Sequence, residues 1–437
     1  MHRKSAISIG IRLSHAALGY LVAVLLARFL GLEQFGVYSF AFAAAGIVAM
    51  PLQHGVAALI VRETSRFKAS KDPVGRAALW TWANRLVRMG SLSLLTVAIV
   101  MLFFAQRNVL AAYAWPLFFA FALVPIVLFG AVRSAVLIGL RHVALGQLPE
   151  YVIRPLVLIF LIALMQAGVT RIMPTASLAM LLYAVAATIS LSFASAFLKR
   201  VGARHGRRTP DPTQVKNWYR ALGPLVVVSG VHYFVSYSDL LLLGILSTSK
   251  DVGLYRAASQ TALFIPFVLQ AVNAILAPIF AGCHHRGDTR SLQEAISRGN
   301  SLIVGLTIPL FIVVVLFGAW ILGTLFGAEF GQAYSALCIL AVAQFINVLA
   351  GPVAYLLTMT GHESRAARVL VLCAALNLVL NVLLIPRYGL VGAAVASALS
   401  ISASNLIMLG LVKNLLSVDS SIIGVLLSRG SQSGRKP

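Results

Sequence analysis

The chain has 437 residues, 59% of them apolar and only 11% charged, which leaves far too little polar surface to coat a soluble globule. A formal charge of +23 would suit nucleic acid if the chain were soluble, so that charge has first to be set against membrane topology. The three cysteines, Cys283, Cys338 and Cys373, show neither metal-ligand spacing nor a disulfide framework, and no cofactor or metal site is expected.

Apolar runs of about 18 residues or more recur along the chain, each long enough to cross a bilayer. In chain order the predicted spans are 7–29, 37–60, 86–105, 113–140, 151–168, 174–198, 222–246, 255–280, 301–326, 333–360, 366–385 and 390–415, about twelve helices in all. The basic start MHRK resembles a signal peptide. The run behind it is too long for a signal core and lacks a small-x-small site, so it reads as a retained helix.

The charges follow the connections. One set carries Arg3 and Lys4; Arg62, Arg66, Lys68, Lys71 and Arg76; Arg141; the run from Lys199 to Arg220; Arg286, Arg290 and Arg298; Arg365 and Arg368; and Lys413, Arg429, Arg435 and Lys436. The alternate connections carry only Arg107, Arg171, Lys250 and Arg387, with Arg28 and Arg256 near their spans' outer ends. Basic residues concentrate on the cytoplasmic side of membrane proteins, so both termini are expected in the cytoplasm. The net charge becomes a record of topology, and nucleic acid loses its support as a partner.

The longest polar interval, KRVGARHGRRTPDPTQVKNWYR (199–220), lies between spans six and seven and reads as a mobile cytoplasmic linker. The expected organisation is a six-helix bundle over 1–198, a linker over 199–221, a second six-helix bundle over 222–416 and a cytoplasmic tail over 417–437. A gapless shift aligns 11–40 with 228–257, setting His15 on His232, Tyr20 on Tyr237, Gly36 on Gly253 and Tyr38 on Tyr255. With a two-residue slip, Pro51 meets Pro266. These matches indicate a parallel duplication, whose halves keep one orientation and whose interface is the default place for a substrate.

The repeat singles out two polar stripes. Ser8, Arg12, His15 and Gly19 share one face of span one, and Ser229, His232, Ser236 and Asp239 share the corresponding face of span seven. Arg133 in span four and Arg154 in span five add two further intramembrane cations. A charged side chain in hydrocarbon costs roughly 2.5–3.5 kcal/mol on insertion scales, so such groups are expected to face a wet cavity. Snorkelling to the inner headgroups is the competing account of Arg133 and Arg154, and a bond to a neighbouring helix that of His15 and His232. A carboxylate cannot snorkel far, which makes Asp239 the candidate for ion coupling.

The pattern N-x-x-x-N-x-x-L-I-P-x-Y-G-L-x-G-A-A-x-A-S spans 377–397. Asn377 and Asn381 lie one turn apart, Ile385-Pro386 ends a span, Arg387-Tyr388-Gly389 makes a minimal turn, and Gly392, Ala393, Ala394 and Ala396 allow close helix packing. It resembles the penultimate-helix signature of the polysaccharide-transport branch, the O-antigen and exopolysaccharide flippases, of the MATE-like exporter superfamily. ARFLGLEQFGVYSF (27–40), GVAALIVRE (55–63), VGLYRAA (252–258) and the later Ala277-Pro278 agree with it in order.

The resemblance implies an all-α MATE-like membrane fold in two pseudo-symmetric halves. It also implies a flippase, not an enzyme, that moves a lipid-linked oligosaccharide across a bacterial inner membrane for lipopolysaccharide or other surface polysaccharide synthesis. A glycan polymerase or glycosyltransferase is the expected partner. In this setting Arg12, His15, Arg133, Arg154 and His232 are candidate contacts to a polyprenyl diphosphate, since guanidinium groups give charge-assisted hydrogen bonds to phosphate. The related lipid II flippases carry first-helix arginines where this chain has Ala16 and Val22. The drug antiporters of the superfamily use carboxylates in amino-terminal spans, and none is expected in those spans here. A polysaccharide polymerase or ligase needs a large extracytoplasmic loop, and the loops 31–36 and 326–331 are short.

Overall fold

A computed structural model describes residues 2–105, 111–168, 173–202 and 208–421. Every regular element among them is helical. Eight helices among the described residues are long and apolar enough to cross a membrane. Two of them, Leu13–Ala69 and Glu363–Leu416, have 57 and 54 residues. At about 1.5 Å per residue each has the length for two crossings of a hydrocarbon layer about 30 Å thick. Ser249–Ala262 and Phe267–Ala277 are together apolar and long enough for a broken span or a re-entrant loop, bent by 47°, and Tyr233–Leu246 is a shorter apolar stretch. This multi-pass helical architecture is consistent with about twelve spans.

The chain divides into two compact units, Met1–Tyr237 and Ser238–Pro437, at a point inside the helix Pro212–Leu246. In the first unit the helix His2–Met50 breaks at Gly31, whose φ of 74° only glycine adopts without strain. Three residues on, Gln34 Oε1 accepts from the Ala176 amide at 3.0 Å and so caps the helix Ala176–Arg200. Pro51 and Pro149, each lacking an amide hydrogen, open the two widened turns Pro51–Val56 and Pro149–Ile153. Gly55 permits a close helix approach, since a Cβ there would stand 2.4 Å from Val226. Buried Glu63 is held by Arg62 at 3.1 Å and Arg66 at 3.0 Å. Ser65 Oγ and Lys68 Nζ donate to the carbonyls of Gly139 and Leu140, closing the end of the helix Ala111–Gly139.

Part of the interval expected as a linker is helical among the described residues. Its later portion starts the helix Pro212–Leu246, and Trp218, 2% exposed, packs on Trp82 with ring centroids 5.2 Å apart. Tyr219 meets the same indole edge-on at 5.6 Å. Burial of one indole is what the polar composition concealed.

In the second unit the side chains of Thr248 and Asp288 cap the helices Ser249–Ala262 and Thr289–Phe326. Glu363–Leu416 breaks at Gly389, with φ 50° and ψ −127°. A Cβ at Gly389 would lie 3.1 Å from the Asp251 carboxylate, and one at Gly392 would lie 2.5 Å from the Leu384 carbonyl oxygen. Gly389→Ala is therefore expected to cost about 1–3 kcal/mol of stability. Thermal unfolding of detergent-purified protein measures this against Gly410→Ala, whose Cβ would meet open space. Equal midpoints for the two variants would refute the strained turn.

The expected tail begins as ordered structure. After a left-handed turn at Ser417, with φ 54°, residues 418–421 fold back onto the unit. Val418 joins an apolar cluster with Phe280, Cys283, Leu292 and Leu356.

Candidate functional site

Among the described residues, each unit holds a polar cluster on its apolar helices that includes a candidate residue. In the first, the widened turn Pro149–Ile153 leads into the helix Arg154–Gln166, and Ser190 Oγ binds the Pro149 carbonyl at 2.6 Å. Arg154, with 11% of its side chain exposed, pairs with Glu150 one turn earlier at 2.7 Å. Its guanidinium lies 5.6 Å from the Tyr183 ring centroid, a cation–π arrangement. His15, exposed on the first helix, stacks on Tyr151 at 4.6 Å and is in Coulombic reach of Glu150 and Arg154.

Among the six candidate residues, this brings His15 and Arg154 together. Arg133 does not join them. Its guanidinium donates to the Phe129 carbonyl at 2.8 Å and lies 5.6 Å from the Phe129 ring and 5.9 Å from the Trp80 ring. The side chains of Arg12 and His232 lie outside the described residues. Glu150 stands on a helix long and apolar enough to cross a membrane, where no carboxylate was expected. The helical stretch Val143–Gln166 begins well before the predicted edge at 151 and takes Glu150 inside.

The second cluster surrounds Asp239, 5% exposed near the end of Pro212–Leu246. Its carboxylate accepts from Tyr255 Oη at 2.5 Å, from Asn381 Nδ2 at 2.7 Å and from the Ser397 hydroxyl. Asn377 Oδ1 accepts from Asn381 Nδ2 at 3.0 Å and from Ser238 Oγ at 3.3 Å, and Asn377 Nδ2 reaches Ser397 Oγ at 3.4 Å. The Asn381 Oδ1 atom is buried with no hydrogen-bond partner among the described residues. No basic side chain bonds to Asp239 among the described residues either. The result is a buried, oxygen-rich cluster around one carboxylate, with one spare acceptor.

The two asparagines and the serine that frame the pattern at 377–397 are thus the partners of Asp239. Gly392, where a Cβ would stand 2.5 Å from the Leu384 carbonyl oxygen, lies close against the preceding arm of the bent helix, and Ala393, Ala394 and Ala396 are buried beside it. Sequence reasoning expected the two asparagine amides to bond across helices or line a cavity within a mainly architectural pattern, and did not connect them with Asp239. The available signal was the presence of three polar side chains on otherwise apolar helices, together with an aspartate that needed partners.

The family model described as polysaccharide biosynthesis protein matches residues 1–284. The chain belongs to the polysaccharide biosynthesis protein family. This member of the family is similar to the probable low-salt glycan biosynthesis flippase Agl15 of Haloferax volcanii, 27% identical over 395 residues, covering 90% of this chain and 79% of the relative. It also resembles the probable flippase AglR of the same organism, 27% identical over 175 residues, covering 39% of this chain and 37% of that one. An inward-facing multidrug resistance MATE family transporter of the MOP superfamily superposes with a TM-score of 0.75 at 13% identity, covering 94% and 98% of the two chains. The lipid II flippase MurJ in an inward closed conformation superposes with a TM-score of 0.72 at 12% identity, covering 91% of this chain and 86% of that one. The family member therefore has an all-α, MATE-like membrane fold.

Proposed function

We propose that this chain is a flippase that moves a polyprenyl-diphosphate-linked oligosaccharide from the cytoplasmic to the outer leaflet of the cell's inner membrane, and that uptake and release of a proton or small monovalent cation at Asp239 drives the step. The observation that carries this reading is the Asp239 pocket. An ionised carboxylate in low dielectric is costly unless hydrogen bonds or a positive charge compensate it. Tyr255, Asn381 and Ser397 supply three donors, yet Asn381 Oδ1 still lacks one. Such a pocket gains by taking up a positive charge and loses by giving it up, which is the property a coupling site requires.

Family membership and the names of two relatives support a glycan-directed flippase over a drug antiporter. Cell-surface products such as O-antigen, lipopolysaccharide and exopolysaccharide fit this reading, with glycosyltransferases and a polymerase acting before and after it. The cationic contact to the diphosphate falls on the first unit, where Arg154 and His15 meet, with Arg12 on the same stripe as His15. A second reading, a cation-coupled drug antiporter, is favoured by Glu150, a carboxylate within an amino-terminal span.

Purified protein in vesicles, given a fluorescent polyprenyl-diphosphate sugar, separates these readings. Leaflet exchange of the lipid means flippase, uptake of cationic dye without lipid exchange means antiporter, and chain growth means polymerase.

Both termini are placed in the cytoplasm by this proposal. Reporter fusions after Lys71 and Gly287 should read as cytoplasmic, and fusions after Gln34 and Glu329 as external. A single discordant pair would overturn the orientation and the parallel duplication with it.

A further inference from the structure

Residues 418–421 occupy a fitted groove in the second unit. The side-chain amide of Gln293 pairs with the backbone of Asp419 in both directions, each bond 2.9 Å. Asn300 Nδ2 donates to the Ser420 carbonyl at 2.7 Å. The Asp419 carboxylate binds Lys413 Nζ at 2.8 Å and turns back to the Ser421 amide at 2.9 Å. Ser420, 0% exposed, donates its hydroxyl to the Ala350 carbonyl at 3.2 Å.

That last contact falls on a break. The helix Tyr334–Ala350 stops before Gly351-Pro352, and Val353–Met359 resumes beyond it. Gly351 has φ 79°, and a Cβ there would stand 2.2 Å from the Ser420 carbonyl oxygen. The break takes the Ala350 carbonyl out of the helical ladder, and the Ser420 hydroxyl supplies the donor it lacks there. The groove thus fits this segment and the break together.

We propose that residues 418–421 are a latch, docked over the Gly351–Pro352 break in one state of the second unit and released from it in the other, so that bending at the break is possible only when the latch is open. The proposal rests on the transport reading for the need to change state. The latch is held by one apolar side chain, Val418, by neutral hydrogen bonds and by the partly exposed Asp419–Lys413 ion pair. Contacts of that kind have a small net energy, on the scale at which docked and free forms exchange. Four docked residues, rather than a long packed helix, suit reversible opening.

The test reads docking without reference to transport. Val418 is itself 4% exposed in the docked segment, so maleimide labelling of Val418→Cys reports undocking in full-length protein carrying Cys283→Ala, Cys338→Ser and Cys373→Ala. Gln293→Ala with Asn300→Ala is expected to label on the order of tenfold faster at an unchanged gel-filtration profile. Ser420→Ala should show a smaller rise, and it carries the labelling test if the double variant does not fold. Unchanged labelling in the folded variants overturns the latch.

The second arm replaces Gln293 and Asp419 with cysteine in a background free of other cysteines and bridges them with a short bis-thiosulfonate. Leaflet exchange of a fluorescent polyprenyl-diphosphate sugar should stop on bridging and return with reductant. Undiminished exchange in bridged protein overturns the release step. Absence of exchange in unbridged wild-type vesicles counts against the transport reading alone and leaves the labelling result standing.

Discussion

Asp239→Asn is expected to reduce glycan export on the order of 100-fold while leaving the protein folded and at normal level. Asparagine fills nearly the same volume, and Tyr255 and Ser397 hydroxyls rotate to accept as well as donate, so the hydrogen-bonded pocket can survive the change. The lost property is the formal charge. Without it the pocket has no reason to exchange a proton or cation, and an ion gradient has nothing to act on. Asp239→Glu keeps the charge but forces a methylene into a pocket whose aspartate is 5% exposed, so partial activity at reduced stability is expected. Export assays and immunoblots of membranes measure both quantities. Wild-type export by the asparagine variant would reduce Asp239 to a clip between helices.

The second large effect concerns Arg154. Arg154→Ala leaves the Glu150 carboxylate without its partner in a partly enclosed site, a loss below the roughly 3–5 kcal/mol of a fully buried pair because Glu150 is 26% exposed. Low protein level is the expected first consequence, and it would mask any role in transport. Arg154→Ala combined with Glu150→Gln removes both charges and should restore the protein level. Export should stay low in that double variant if the proposed diphosphate contact uses the guanidinium beside Tyr183. Restored level together with restored export would make the pair a structural bond only.

The spans were legible because crossing a bilayer imposes a length and a composition that a sequence displays directly. Gly31 and Gly389 were legible as turns for a related reason, since a positive φ within an apolar run leaves glycine as the residue without strain. Asp239 was legible from cost alone. Its partners were not, because Asn381 lies 142 residues away and Ser397 158, and no periodicity within a helix encodes a contact between helices. Glu150 was misplaced by a span edge drawn too late, which hid its pairing with Arg154. Arg133 looked equivalent to Arg154 in composition and depth, but its aromatic neighbours are set by packing. Residues 418–421 carry no periodic signal, and short polar segments give none until the groove that receives them is seen.

The contact between Trp82 and Trp218 gives the chain an optical signal of its own. Two of its five tryptophans stand 5.2 Å apart at a 48° tilt, close enough for their excited states to couple. Because Trp218 belongs to the start of Pro212–Leu246, a coupled band in the near-ultraviolet circular dichroism marks that start as seated on the helix Pro73–Ala105. Trp218→Phe would remove the band and identify its source. The polar interval between the two apolar halves can then be followed during turnover by light alone, without a label.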